Sequence, residues 1–191
     1  MSPSMIIVIV VAVVVVIALV ALLVQLQRRR HLREKFGPEY DRAMEEGSSR
    51  REAERELTNR ERRHQKLDIR PLSDEAREQY RERWAVIQQR FVDQPGEAIT
   101  EADRMLTQVM ADRGYPTDGG HEQQASDLSV EHAPTLEHYR TARETLQGHE
   151  KRTADTEELR RTLVHYRTVF ADLLDTREPA TARNRSDEGN R

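Results

Sequence analysis

The chain has 191 residues, a net charge of −3, 34% charged and only 5% aromatic residues, and no cysteine. The missing thiols exclude disulfides, cysteine nucleophiles and cysteine-based zinc sites. The charge is split along the chain: residues 28–70 carry a net +4 and residues 71–175 a net −8, so the long acidic part argues against a nucleic-acid partner, which needs a concentrated basic face.

Positions 5–24 are 20 consecutive residues without a polar side chain, nine of them valine and four isoleucine. At about 1.5 Å per residue a helix of this length crosses the roughly 30 Å hydrocarbon core of a bilayer. Only a helix satisfies its own backbone there. A cleaved signal peptide needs a basic leader, a shorter apolar stretch and a small-x-small cleavage site. The leader at 1–4 has no Lys or Arg, and Leu22, Leu23 and Val24 offer no such site. The expectation is an uncleaved transmembrane helix at 5–26. Arg28, Arg29, Arg30, Arg33 and Lys35 follow it, and no basic side chain precedes it. Positive flanks stay cytoplasmic, which puts the N-terminus outside and the remainder inside. These five cations are the expected membrane-surface contact, since each basic residue near an anionic leaflet contributes about 1 kcal/mol. The span lacks glycine and ionisable residues, which excludes a GxxxG pairing motif and a proton path.

Residues 27–68 read as basic juxtamembrane and charged stalk helices. Phe36, Gly37 and Pro38 interrupt the anchor helix, Pro38 opens a short second one, and Gly47, Ser48 and Ser49 break that. The segment 50–66 is mostly Arg and Glu, with pairs such as Arg50/Glu54 and Glu56/Arg60 at helical spacing and a thin stripe of Ala53 and Leu57. It reads as a solvated stalk.

Residues 69–175 read as a four-helix bundle. Ser73 caps the first helix, whose stripe is Ala76, Tyr80, Trp84, Ile87 and Phe91. The second carries Ala98, Ala102, Met105, Leu106 and Val109 and stops at Arg113 and Gly114. Residues 117–133 are rich in Gly, Asp and Gln, and a connection of that length is mobile or functional, with one helical turn expected near 121–127. Pro134 opens the third helix, expected to end at Gln147, Gly148 and His149. The fourth starts near Asp155 with the stripe Leu159, Leu163, Tyr166, Phe170, Leu173 and Leu174. The tail at 176–191 lacks the apolar residues to fold and is expected to be disordered. The fold class is therefore all-α: one transmembrane helix, a charged stalk and a small cytoplasmic helical bundle.

No catalytic, cofactor or metal motif emerges. The seven histidines include no pair at i,i+4, and the single Glu-x-x-His, Glu61 to His64, lies on the stalk. His138 and His165 fall to the side of their helices' apolar stripes and read as surface residues. Around them TLEHYRT at 135–141 and TLVHYRT at 162–168 match at six of seven positions, either as one packing solution used twice or as paired binding positions.

The strings KFGPEYDR at 35–42, RPLS at 70–73, RFVD at 90–93, RGYP at 113–116, LSVEH at 128–132 and HYR at 165–167 together resemble a family of uncharacterised single-span membrane proteins, mostly actinobacterial. The resemblance covers about 28–174 and the N-terminal span. It implies a bacterial plasma membrane and transfers no functional residue. The leading expectation is a membrane-anchored, non-enzymatic helical interaction or scaffold protein, its partners the lipid bilayer and an unidentified protein. The alternatives are an enzyme or metal-binding module using the 117–133 loop with His132, His138 and His165, or an exported protein.

Overall fold

The computed structural model describes residues 3–151 and 155–175; the first two residues of the expected leader and the whole expected tail at 176–191 lie outside the described residues. Among the described residues the chain is all-helical, with eight helices and no strand. It forms two compact units, Met1–Thr58 and Asn59–Arg191.

The first unit holds α1 (Pro3–Phe36), α2 (Pro38–Glu46) and the first part of α3 (Arg50–His64). α1 is long and apolar enough to span a membrane, and between Val11 and Leu26 its apolar side chains are exposed all round, Val11 at 56% and Leu23 at 60% among them. The helix breaks at Gly37, whose φ of +47° is a conformation that glycine adopts without penalty. Pro38 then occupies the first turn of α2, where its missing N–H costs nothing. Gly47 ends α2, its N–H donating to the carbonyl of Ala43 at 3.0 Å. Leu32, Phe36, Tyr40, Ala53 and Leu57 are buried. This corrects the stalk expectation. The thin apolar stripe of α3 is covered, and Glu54 pairs with Arg29 at 3.1 Å and accepts from the Tyr40 hydroxyl at 3.3 Å instead of pairing with Arg50.

The second unit holds the end of α3 and the helices α4 (Asp74–Arg90), α5 (Pro95–Asp112), α6 (Gly120–Leu128), α7 (Ala133–Lys151) and α8 (Thr156–Asp175). Ser73 caps α4 as its sequence suggests, its Oγ accepting from the Ala76 N–H at 3.2 Å. The stripes of α4, α5, α7 and α8 meet in one core. At its centre Trp84 stacks on Phe170 with ring centroids 5.1 Å apart, a contact worth about 0.5–1.5 kcal/mol beyond the area buried. The entry chain before α4 lies against the end of α5, with the Arg70 N–H donating to the Arg113 carbonyl at 2.9 Å.

Two expectations need correction. Most of the 117–133 connection is not an open loop but α6, a nine-residue helix whose Gln124, Ala125, Ser126, Asp127 and Leu128 are buried, which makes a fifth helix in this unit. Its polar side chains are held by partners far away in sequence: Tyr139 donates to Gln124 at 2.8 Å and Arg63 to Asp127 at 3.1 Å. The third bundle helix, α7, also runs through Gly148 to Lys151. One glycine costs a helix only about 1 kcal/mol, less than the neighbouring turns contribute.

Candidate functional site

The five expected membrane-surface residues sit on the last turns of α1. At 100° per residue, Leu26, Arg29, Arg30 and Arg33 fall within about 100° of arc, while Arg28 and Lys35 lie on the opposite side. Arg28 donates to the Thr58 hydroxyl at 2.7 Å, tying α1 to α3. On the other face Arg29 reaches Glu54, Arg33 lies 3.6 Å from Asp41, and Arg30 is exposed and in no ion pair among the described residues. This face borders a cleft of ≈390 Å³ that Tyr40 and Met44 of α2 and Arg50 of α3 complete.

A second cluster, in the Asn59–Arg191 unit, is buried and polar. Arg113 is only 2% exposed, although it carries a full charge. Its Nη1 lies 3.0 Å from His132 Nε2 and donates to the Leu173 carbonyl at 3.3 Å, and its Nη2 is 3.8 Å from Glu131. His132 Nδ1 is 2.8 Å from Asp172, which also accepts from the Thr135 hydroxyl at 2.5 Å. A guanidinium can only donate, so His132 Nε2 accepts and its Nδ1–H donates to Asp172. Burial pushes the Asp172 carboxyl up, but the hydrogen bonds from His132 and Thr135, with the Arg113 charge, outweigh it and hold the group below its ordinary 3.8. Tyr115 donates to Glu131 at 3.2 Å, and burial followed by the Glu131 charge raises its hydroxyl well above the usual range, so it remains a donor. The His132–Asp172 pair has the outline of a catalytic dyad. However, a general base needs a lone pair that substrate can reach, and here Arg113 occupies it. The cluster is a strut joining the end of α5 to the end of α8. His64 belongs beside it rather than on a solvated stalk, because it is 8% exposed with its ring 6.0 Å from Tyr115.

His138 and His165 do not join His132. They meet each other across α7 and α8, Nδ1 to Nδ1 at 2.7 Å, so one ring donates and the other accepts. Their repeat neighbours Tyr139 and Tyr166 point into the core, where Tyr166 donates to Asp103 at 2.9 Å. The three-histidine alternative is thus divided between two places, and no group of three or more potential ligands gathers among the described residues. An open cleft of ≈910 Å³ between α4 and α5 is bordered by Arg83, Arg90 and Arg104, but Glu97 and Glu101 also border it and Arg90 is paired with Glu101, so its charges largely cancel.

The five basic residues after the apolar run form a collar on α1, whereas the Arg113 strut and the His138–His165 contact were not expected from the sequence. Arg113 did leave a signal, because it follows Ala102, Leu106 and Val109 at steps of four, three and four and so extends the α5 stripe. No protein-family model, curated protein or solved structure matches this chain.

Proposed function

We propose that this chain is a single-span membrane protein that holds a helical interaction module at the cytoplasmic face and has no catalytic activity of its own. The observation that carries the reading is α1, whose exposed apolar side chains surround the helix from Val11 to Leu26 and are followed at once by the arginine collar. An apolar surface of this extent favours a bilayer over water. The side that bears the collar is the side expected to stay in the cytoplasm. The motif resemblance supports a bacterial plasma membrane. The buried dyad-like cluster supports the non-enzymatic part, because its histidine is committed at both ring nitrogens.

The experiment is a pair of reporters fused after Arg191, one active only outside the cytoplasm and one only inside, with the mature N-terminus mapped alongside. The expected outcome is activity of the cytoplasmic reporter alone and an intact N-terminus. Activity of the external reporter would reverse the orientation, and an N-terminus near residue 25 would make α1 a signal sequence and the product an exported protein.

A further inference from the structure

We propose that the cleft beside the last turns of α1 is a binding site for one anionic phospholipid, with the arginines holding its headgroup phosphate. The proposal rests on the reading of α1 as a membrane anchor and goes beyond it, from diffuse attraction to a built site. Three observations carry it.

The first is shape and lining. The cleft measures ≈390 Å³, enough for a phosphate with its glycerol. Leu26 and Met44 give it an apolar part, and Arg29, Arg30, Arg33 and Arg50 give it a cationic part. An apolar wall beside clustered guanidinium groups matches an anionic amphiphile, since the acyl end needs hydrocarbon and the phosphate needs forked donors. A free phosphate would gain nothing from Leu26 and Met44.

The second is depth. Arg29 and Arg30 lie about 8–9 Å along the helix beyond Val24, and the headgroup layer extends roughly 5–8 Å beyond the hydrocarbon core. The backbones of Arg29 and Arg30 therefore lie at the outer edge of that layer, and helical side chains lean back toward the N-terminus, which brings their guanidinium groups to the depth of the lipid phosphates.

The third is charge left available. Asp41 also borders the cleft, but four arginines face that single carboxylate. Arg29 is committed to Glu54, and the Arg33–Asp41 pair at 3.6 Å is solvent-exposed on both sides. Exposed pairs of this kind contribute little and exchange readily for a better acceptor. Arg30 has no such competitor. Tyr40, whose hydroxyl is engaged by Glu54, stiffens the α2 side of the cleft.

The test uses the full chain in detergent micelles doped with phosphatidylglycerol or phosphatidylcholine, with bound lipid counted by native mass spectrometry. The wild type should retain one phosphatidylglycerol and no phosphatidylcholine. Arg30→Gln/Arg33→Gln should lower that retention by about tenfold or more, as expected for losing charge-assisted hydrogen bonds. Arg28→Gln/Lys35→Gln removes the same charge from the opposite face and should leave retention within about twofold, because a built site depends on position and a diffuse field does not. Helicity by circular dichroism keeps folding failure apart from lost binding. Equal losses in the two double variants, or equal retention of the two lipids, would overturn the site. Displacement by an equal concentration of glycerol 3-phosphate would also overturn it, in favour of a soluble phosphate. Carbonate extraction of native membranes tests the anchor separately: a chain that stays in the membrane but shows no lipid selectivity sinks only the cleft, and a chain released into the supernatant sinks the anchor.

Discussion

His138 and His165 show how a single proton changes the meaning of a contact. At 2.7 Å the two Nδ1 atoms share one hydrogen, an arrangement that fails when both carry one. Burial holds His165 below its ordinary 6.5, the charge of His138 adds to that, and Glu137 on α7 opposes it. The folded state therefore binds this proton less readily than the unfolded chain. The stabilisation is full above 6.5, falls as the pH drops below it, and levels off beneath the lowered folded value. Thermal unfolding of a 59–175 fragment should show a decline in midpoint between about pH 7 and pH 5 that His165→Gln flattens. An unchanged slope in the variant would assign the acid sensitivity elsewhere. The sequence carried a hint of this pair. The two histidines are 27 positions apart and occupy the same place in the matching segments TLEHYRT at 135–141 and TLVHYRT at 162–168, one on α7 and one on α8. One helical wheel at a time could not reveal it, because each histidine looks peripheral on its own helix.

Helix existence was legible because it depends on local features: the stripes of α4, α5, α7 and α8, the Ser73 cap, and Pro38, which opens α2. What stayed hidden depends on long-range partners. The polar side chains of α6 look like loop residues until Arg63 and Tyr139 arrive to bind them. The glycines of the bundle show the same limit, since Gly114 and Gly148 both resemble helix stops and only Gly114 acts as one. Gly114 ends the second bundle helix, α5, with φ +95°, and a Cβ there would lie 2.2 Å from the Asp68 carbonyl oxygen, a backbone atom that cannot swing aside. Gly148 lies inside α7 with open space around it. Substitution by alanine should therefore act in opposite directions. Gly114→Ala should cost about 3 kcal/mol or more through strain and displaced backbone. Gly148→Ala should add about 0.5–1 kcal/mol by removing unfolded-state entropy. Urea midpoints of the two variants check the signs, and a stabilising Gly114→Ala would mean that the entry chain does not lie against α5.

For the molecule as a whole, the two compact units divide inside α3, after Thr58, whereas composition alone draws a boundary at the extended entry near residue 69. The reason is visible at Arg63. Its Nε is 3.1 Å from Asp127, and its Nη2 donates to the Ser126 hydroxyl at 2.7 Å. The Asp127 side chain is 1% exposed and that of Arg63 42%, so water screens the cation but not the carboxylate it serves. A fragment starting at residue 69 keeps Asp127 with only the Gln123 amide as donor and strips Leu67 and the His64 ring from the unit. A 59–175 fragment should therefore be more stable than 69–175 by about 2–4 kcal/mol, the scale of charge-assisted hydrogen bonds lost from a buried carboxylate. Arg63→Gln in the longer fragment should reproduce part of the difference, about 1–2 kcal/mol, because the glutamine amide does not reach Asp127 with a charge. Equal denaturant midpoints for the two fragments would return the end of α3 to the stalk and leave the bundle beginning at its entry chain.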